Sequence, residues 1–226
     1  AGAWYGYSVA SAGDVDGDGY DDILVGARRY THTITWEGAA FLYRGSASGP
    51  QTSASWTMYG GFDVGPVPCG EPAKPYEYCV GEFGCSVAGA GDVNGDGYAD
   101  VVIGARKSGH TRTWAGRAYV FHGSATGLGS TPAWLYEAPV IKAELGYCVA
   151  SAGDINGDGY SDVIVGANHY RAGDPYVATD EGKAYLFQGA TGGLGAEPAW
   201  SVTGDIPYAC VGQSVASAGD VNGDGY

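Results

Sequence analysis

Basic residues are scarce in this chain. Only 11 of its 226 residues are Lys or Arg, against 25 Asp or Glu, giving a formal net charge of −14. Neutralising nucleic-acid phosphates takes a basic surface, so a nucleic-acid partner is excluded. Long apolar runs are also missing. No stretch approaches the roughly 18 consecutive apolar residues of a membrane helix, so no membrane insertion is expected in this segment. The first residues carry no signal-peptide pattern, so the chain reads as a mature or excised segment. Helix periodicity and helix caps are absent throughout. Cysteine numbers five, too few for a disulfide scaffold and odd, so at least one thiol is unpaired within the chain. Their presence favours an oxidising, extracellular setting, secreted or at the cell surface. Cys69 and Cys79 bracket a loop containing Pro72 and Pro75 and are expected to pair. Cys148 and Cys210 are expected near one another across adjacent units. No nucleophile–base motif is present. His32 and His110 stand at equivalent places five residues after an Ala, as inherited surface residues do, and an enzyme is not expected.

What the chain does have is glycine, 41 residues, and tyrosine, 18. That pairing suggests short strands and tight turns. The acids are clustered: thirteen of the 25 fall in 14–22, 92–100, 154–162 and 220–224. Internal repetition explains the clusters. From Tyr5 the chain reads YGYSVASAGDVDGDGYDDILVGA, from Phe83 FGCSVAGAGDVNGDGYADVVIGA, and from Leu145 LGYCVASAGDINGDGYSDVIVGA. From Val211 it begins again as VGQSVASAGDVNGDGY. The leading aspartates Asp14, Asp92, Asp154 and Asp220 are 78, 62 and 66 residues apart. A second block, GAAFLYRGSASG at 38–49, returns at 116–127 and 182–193, each followed by a tryptophan, Trp56, Trp134 or Trp200. The units are about 5–82, 83–144, 145–210 and the partial 211–226, with an insertion at about 62–82.

Each complete unit reads as four strands: in the first, around Ser8–Ala12, Asp22–Ala27, Ala39–Arg44 and the surroundings of Trp56. The second is nearly continuously apolar, as in a strand covered on both faces. A four-stranded unit that needs neighbours to bury it is a propeller blade, so the fold class is all-β, a β-propeller with three blades and the start of a fourth. Closed propellers have about 4–8 blades, so these form a partial ring or a stacked assembly.

Each acidic cluster has the form D-x-[DN]-x-D-G-x-x-D. Unit one supplies Asp14, Asp16, Asp18, the Tyr20 carbonyl and Asp22; unit two Asp92, Asn94, Asp96, Tyr98 and Asp100; unit three Asp154, Asn156, Asp158, Tyr160 and Asp162. Unit four has Asp220, Asn222 and Asp224 but no ninth position within this segment. Alternate residues of a curled loop point inward, and glycine at position six permits the turn. Calcium takes about six to eight oxygens at roughly 2.3–2.6 Å and favours carboxylates. Tight Asn-Gly and Asp-Gly turns explain the glycines alone, but not carboxylates that would repel one another without a cation. An EF-hand needs a glutamate at position twelve, where these loops have Val25, Ile103 and Val165. Magnesium suits a loop this rich in protein oxygens less well. Three complete calcium sites are expected, with loop one, which has the most carboxylates, the tightest.

At these residues the sequence resembles the FG-GAP repeats of integrin α-subunits and of many bacterial surface proteins. Only Phe83–Gly84 spells the family's FG, and GAP appears as Gly26–Ala27–Arg28, Gly104–Ala105–Arg106 and Gly166–Ala167–Asn168. The resemblance implies a seven-bladed propeller with calcium in the loops between strands one and two of certain blades, opposite the ligand-binding loops. Six of the eleven basic residues lie in the loops between strands two and three. Arg28, Trp36, Arg106, Arg112, Trp114 and Arg171 are the ligand-binding candidates there, for a protein or glycan partner. Adhesion or ligand binding is the leading function. A calcium-rigidified surface fibre built from neighbouring copies, and an accessory propeller of a secreted lyase or phospholipase, are the alternatives.

Overall fold

The computed structural model describes residues 2–63, 81–109, 112–174, 176–221 and 223. Cys69, Cys79, His110, Asn222 and Asp224 therefore lie outside the described residues. Three four-stranded antiparallel sheets follow one another along the chain. Blade one contains β1 (Tyr5–Gly13), β2 (Asp22–Ala27), β3 (Ala39–Tyr43) and β4 (Trp56–Tyr59). Blade two contains β5 (Ser86–Gly91), β6 (Asp100–Ala105), β7 (Arg117–Phe121) and β8 (Trp134–Glu137). Blade three contains β9 (Cys148–Gly153), β10 (Asp162–Ala167), β11 (Lys183–Phe187) and β12 (Trp200–Thr203). Within each blade the spatial order equals the chain order. Strand β1 is longer than expected because Tyr5 pairs with Ala27 beyond a register shift that precedes Ser8.

The apolar second strands explain how blades stack. Side chains alternate across a strand, so Leu24 and Val102 face the following blade while Val101 and Val163 face the preceding one. Leu24 and Val101 share one buried cluster with Leu42, Phe83, Ile103 and Phe121. Val102 and Val163 share another with Val120, Trp134, Val165 and Phe187. Strand β6 has a neighbour on each side and is buried along its whole length. Ile23 and Ile164, whose sides lack a neighbouring blade, remain half-buried.

The repeated tryptophans close the outer part of each seam. Trp56 lies edge-on to Phe121 at 5.2 Å and its Nε1 donates to the Gly129 carbonyl at 2.9 Å. Trp134 repeats this against Phe187 at 4.7 Å and the Gly195 carbonyl at 2.9 Å. Trp200, on blade three, is 52 % exposed. Near the inner strands, a Cβ on Gly26 would run into the Gly84 carbonyl of the next blade. A Cβ on Gly104 would run into the Gly146 carbonyl. The repeated FG and GA glycines are thus two backbones touching across a seam. Among the described cysteines, Cys85, Cys148 and Cys210 are free. Cys148 turns its Sγ toward the Val215 carbonyl at 3.9 Å instead of pairing with Cys210.

Candidate metal centres

Each aspartate cluster occupies the turn between the first two strands of its blade. The position-one carboxylate winds the loop. Asp14 Oδ1 accepts from Gly17 N at 2.7 Å and Asp18 N at 3.0 Å, and Oδ2 accepts from Gly19 N at 2.8 Å. Asp92 does the same with Gly95, Asp96 and Gly97, and Asp154 with Gly157, Asp158 and Gly159. Asp220 starts the same turn, accepting from Gly223 N at 2.6 Å. The position-six glycines sit at φ 89, 91 and 89° (Gly19, Gly97, Gly159), a region that excludes most side chains. The position-five carboxylates of Asp18, Asp96 and Asp158 accept from the N–H groups of Tyr20, Tyr98 and Tyr160 at 2.9, 3.0 and 3.0 Å.

The position-nine aspartates are buried. Asp22 accepts from Val15 N at 3.3 Å and Gly45 N at 2.8 Å, Asp100 from Val93 N at 2.8 Å and Gly123 N at 2.9 Å, and Asp162 from Ile155 N at 3.0 Å and Gly189 N at 2.9 Å. Each carboxylate therefore ties its loop to the end of the blade's third strand. Burial pushes all three carboxyls up, Asp100 to about 6, against the pull of those N–H groups. Neighbouring carboxylates, Asp16 and Asp18 in the case of Asp22, add to the rise. By contrast, the Gly159 N–H above all holds Asp154 below its ordinary value. The glycines Gly45, Gly123 and Gly189 escaped the sequence reading, although they stand in the same repeat column; a side chain on any of them would run into a backbone carbonyl.

The residues present fit a cation. Asp14, Asp16 and Asp18 bring carboxylate oxygens within 4.8 Å of one another. Asp16 Oδ1 is buried without a hydrogen-bond partner, a desolvated anionic oxygen of the kind a cation stabilises. Its other oxygen lies 2.8 Å from Arg44 Nε. Position three is matched in each blade by the residue just after the third strand. Asp16 meets Arg44, and Asn94 Nδ2 lies 3.2 Å from His122 Nδ1. In blade three the corresponding residues are Asn156 and Gln188. In loops two and three the asparagine amide also donates to the position-five carboxylate, at 2.9 and 2.8 Å.

Successive loops are joined. Ala99 N donates to the Asp14 carbonyl at 3.0 Å and Ser161 N to the Asp92 carbonyl at 2.9 Å. The Tyr98 ring covers Gly17, and the Tyr160 ring covers Gly95.

Antiparallel pairing places the loops between second and third strands at the opposite end of every blade. There Arg28 and Arg106 meet the buried Glu82, and Trp36 and Trp114 lie beside Arg29 and Lys107. Arg106 Nε donates to Glu82 at 2.7 Å, Arg28 lies 3.9 Å from it, Arg29 stacks on Trp36 and Lys107 on Trp114. Arg112 and Arg171 do not join; they pair with Glu137 and Asp180 at 3.9 and 2.8 Å. His32 stacks on Tyr59 at 4.0 Å between centroids.

The FG-GAP repeat model matches residues 5–43, 83–121 and 149–187, each span running from the first strand of a blade to the end of its third. The chain belongs to the FG-GAP repeat family. Among relatives, this FG-GAP chain is 34% identical over 175 residues to integrin alpha-PS2 of Drosophila melanogaster, covering 74% of this chain and 12% of that protein. It is 30% identical over 174 residues to integrin alpha-V of Gallus gallus, covering 73% of this chain and 15% of the relative. Integrin alpha pat-2 of Caenorhabditis briggsae is 34% identical over 180 residues, covering 74% and 13%. The FG-GAP chain thus spans less than a sixth of the length of each of these curated relatives. Among the described residues no helix is long and apolar enough to cross a membrane.

Proposed function

We propose that this chain is a calcium-binding portion of an extracellular adhesion or ligand-binding module, acting by binding and not by catalysis. The observation that carries the calcium reading is the buried, partnerless Oδ1 of Asp16 beside the carboxylates of Asp14 and Asp18. In this reading Asp14, Asp16, Asp18, Asp22 and the Tyr20 carbonyl hold one ion. The same positions hold one in loop two (Asp92, Asn94, Asp96, Tyr98, Asp100) and one in loop three (Asp154, Asn156, Asp158, Tyr160, Asp162). The ion supplies positive charge that offsets the mutual repulsion of these carboxylates. The aspartate loops serve rigidity, and a protein or glycan ligand meets the opposite, basic and aromatic end.

Calorimetric titration of chelator-stripped protein tests this. Three calcium sites with dissociation constants of about 10⁻⁴–10⁻³ M are expected, together with a rise in melting temperature. Absence of binding heat, or equal melting with and without calcium, refutes it.

A further inference from the structure

Four basic side chains converge on one seam. Arg28 and Arg29 come from blade one, Arg106 and Lys107 from blade two, and Glu82 lies among them. Glu144 adds one more carboxylate, 3.5 Å from Arg106. Among the described residues, four cations thus face two carboxylates, in a chain whose net charge is −14. A structural latch does not need so many. At the next seam Arg106 and Lys107 take the places of Arg28 and Arg29, the places of Arg106 and Lys107 are taken by Asn168 and His169, and Arg106 meets Glu144.

Arg106 satisfies Glu82 at 2.7 Å, whereas Arg29 and Lys107 reach it only at 3.9 Å and their side chains are 33% and 30% exposed. Arg28, 7% exposed, donates to the Tyr7 hydroxyl at 3.0 Å and keeps a buried Nε without a partner. Aromatic rings hold the cations in place. Arg28 lies 4.4 Å from the centroid of Trp4 and 4.2 Å from that of Tyr7, and Arg29 lies 4.6 Å from Trp4. Stacked guanidinium groups keep their planar donor edges free for carboxylates and lose little freedom on binding. All the non-glycine residues with positive φ among the described residues, Trp4, Trp36, Glu82 and Trp114 included, lie at this end and none in the aspartate loops. Such strain gathers where a surface is built for contact.

We propose that the seam between blades one and two binds the carboxylates of an acidic peptide segment of a protein partner. Arg29 and Lys107 are the contacts, and Arg28, Arg106 and Glu82 are the frame that positions them. The proposal rests on the reading above that this end meets the ligand, and it adds the ligand's chemistry. A peptide is favoured over an acidic glycan for two reasons. The Trp4 ring is already occupied by two guanidinium groups, which leaves little of its surface for a sugar ring, and Trp, Tyr and Arg together are the residues that dominate protein–protein contacts.

The test is fluorescence anisotropy on the full chain with calcium at physiological ionic strength, using labelled oligo-Glu, its oligo-Gln counterpart and oligogalacturonate. Oligo-Glu binds, oligo-Gln does not, and the R29Q/K107Q double variant weakens oligo-Glu about tenfold. R29K/K107R restores binding, and an unchanged melting temperature shows that folding is intact. Unaltered oligo-Glu binding by R29Q/K107Q overturns the proposal, as does equal binding of oligo-Gln or preference for oligogalacturonate. If R112Q/R171Q lowers binding instead, the end of the propeller is right and this seam is wrong. If neither pair matters, both readings fall together.

Discussion

Arg44 sets how strongly loop one holds its proposed ion. Loop one has four carboxylates at ligand positions, whereas loops two and three have three each, with asparagine at position three. Counting charge alone makes loop one the tightest. The structure alters that expectation, because Arg44 Nε stands 2.8 Å from Asp16 Oδ2 and Arg44 Nη2 donates to the Thr126 carbonyl at 2.8 Å. The guanidinium cancels the fourth carboxylate, so loop one is expected to bind no more tightly than the others. Arg44→Gln, which installs the residue found at the matching place in blade three, should release that affinity. An ion held by Asp16 lies roughly 6 Å from the guanidinium, given metal–oxygen bonds of about 2.4 Å. At that distance a dication and a unit charge repel by about 1.4 kcal/mol in the dielectric of water, and by more where the site is drier. That is about a tenfold gain in calcium affinity. The measurement is calorimetric titration in an Asp96→Ala/Asp158→Ala background, which leaves loop one as the responding site. A melting curve controls for the lost bond to Thr126. Unchanged or weaker binding by Arg44→Gln, or a native loop one already tenfold tighter than its neighbours, would falsify this account.

Four further outcomes are expected. Trp134→Ala should cost about 3–5 kcal/mol in urea denaturation, because a large buried ring and its hydrogen bond are lost; Trp200→Ala, at the exposed equivalent place, should stay within about 0.5 kcal/mol, and equal effects would contradict the described seams. Gly123→Ala should destabilise by about 1–3 kcal/mol, since the new methyl meets the Ala99 carbonyl; loop two should also lose calcium affinity, and a stable variant with full binding would count against the tie to Asp100. Burial pushes the Cys85 thiol up to about 12, so iodoacetamide at pH 8 should label it only after unfolding, while labelling of the native protein at the rate of Cys148 would refute its burial. Because the folded state keeps that proton, the Cys85 contribution to stability is full below about pH 8.5 and is lost as pH rises toward about 12; a melting temperature of Cys85→Ala relative to the parent that stays constant over this range would oppose it.

Much of the blade architecture was legible because repetition exposes what one copy hides. The runs ILV, VVI and VIV mark strands flanked on both faces, and the Asp-Gly steps mark the turns where the position-one carboxylates do wind the loops. The ends of strands were less legible. Tyr5 joins β1 only because a register shift lets it reach Ala27, and side-chain pattern carries no trace of that. The partners of the loops were hidden for a related reason. Arg44 and Gly45 lie beyond the third strand, and only sheet register brings them beside Asp16 and Asp22. The chain nevertheless contains a clue, since Asp, Asn and Asn at position three accompany Arg, His and Gln after the third strand. The basic end was half-legible. Its loops were recognisable from charge, but the gathering of Arg28 and Arg106 at Glu82, with Arg112 at Glu137 and Arg171 at Asp180, depends on how the loops fold and the blades abut. Glu82 sits far in sequence from Arg28, and nothing local marks it. Cys148 and Cys210 are both free thiols, and Cys148 is turned toward the Val215 backbone.

The two ends of the seam between blades one and two are fastened by different physics, and this gives the proposed ion a role beyond its own loop. At the aspartate end a single residue does two jobs. The side chain of Asp14 fixes the curl of loop one, and its carbonyl accepts from Ala99 of loop two. Asp92 repeats this toward Ser161. Any force that distorts the curl therefore displaces the acceptor that the next blade uses, and repulsion among Asp14, Asp16 and Asp18 is such a force. At the other end Glu82 bonds Arg106 from its own side of the seam and draws in Arg28 from across it, without any ion. Between them the core cluster of Leu24, Phe83 and Val101 holds whether or not the loops are neutralised. Withdrawal of the ion should thus loosen one end of each seam first while the blades themselves persist. The basic end is affected only through the tilt that this permits. Coupling between ion and ligand is then limited by how far a packed apolar seam can tilt, which is little in so dense a core.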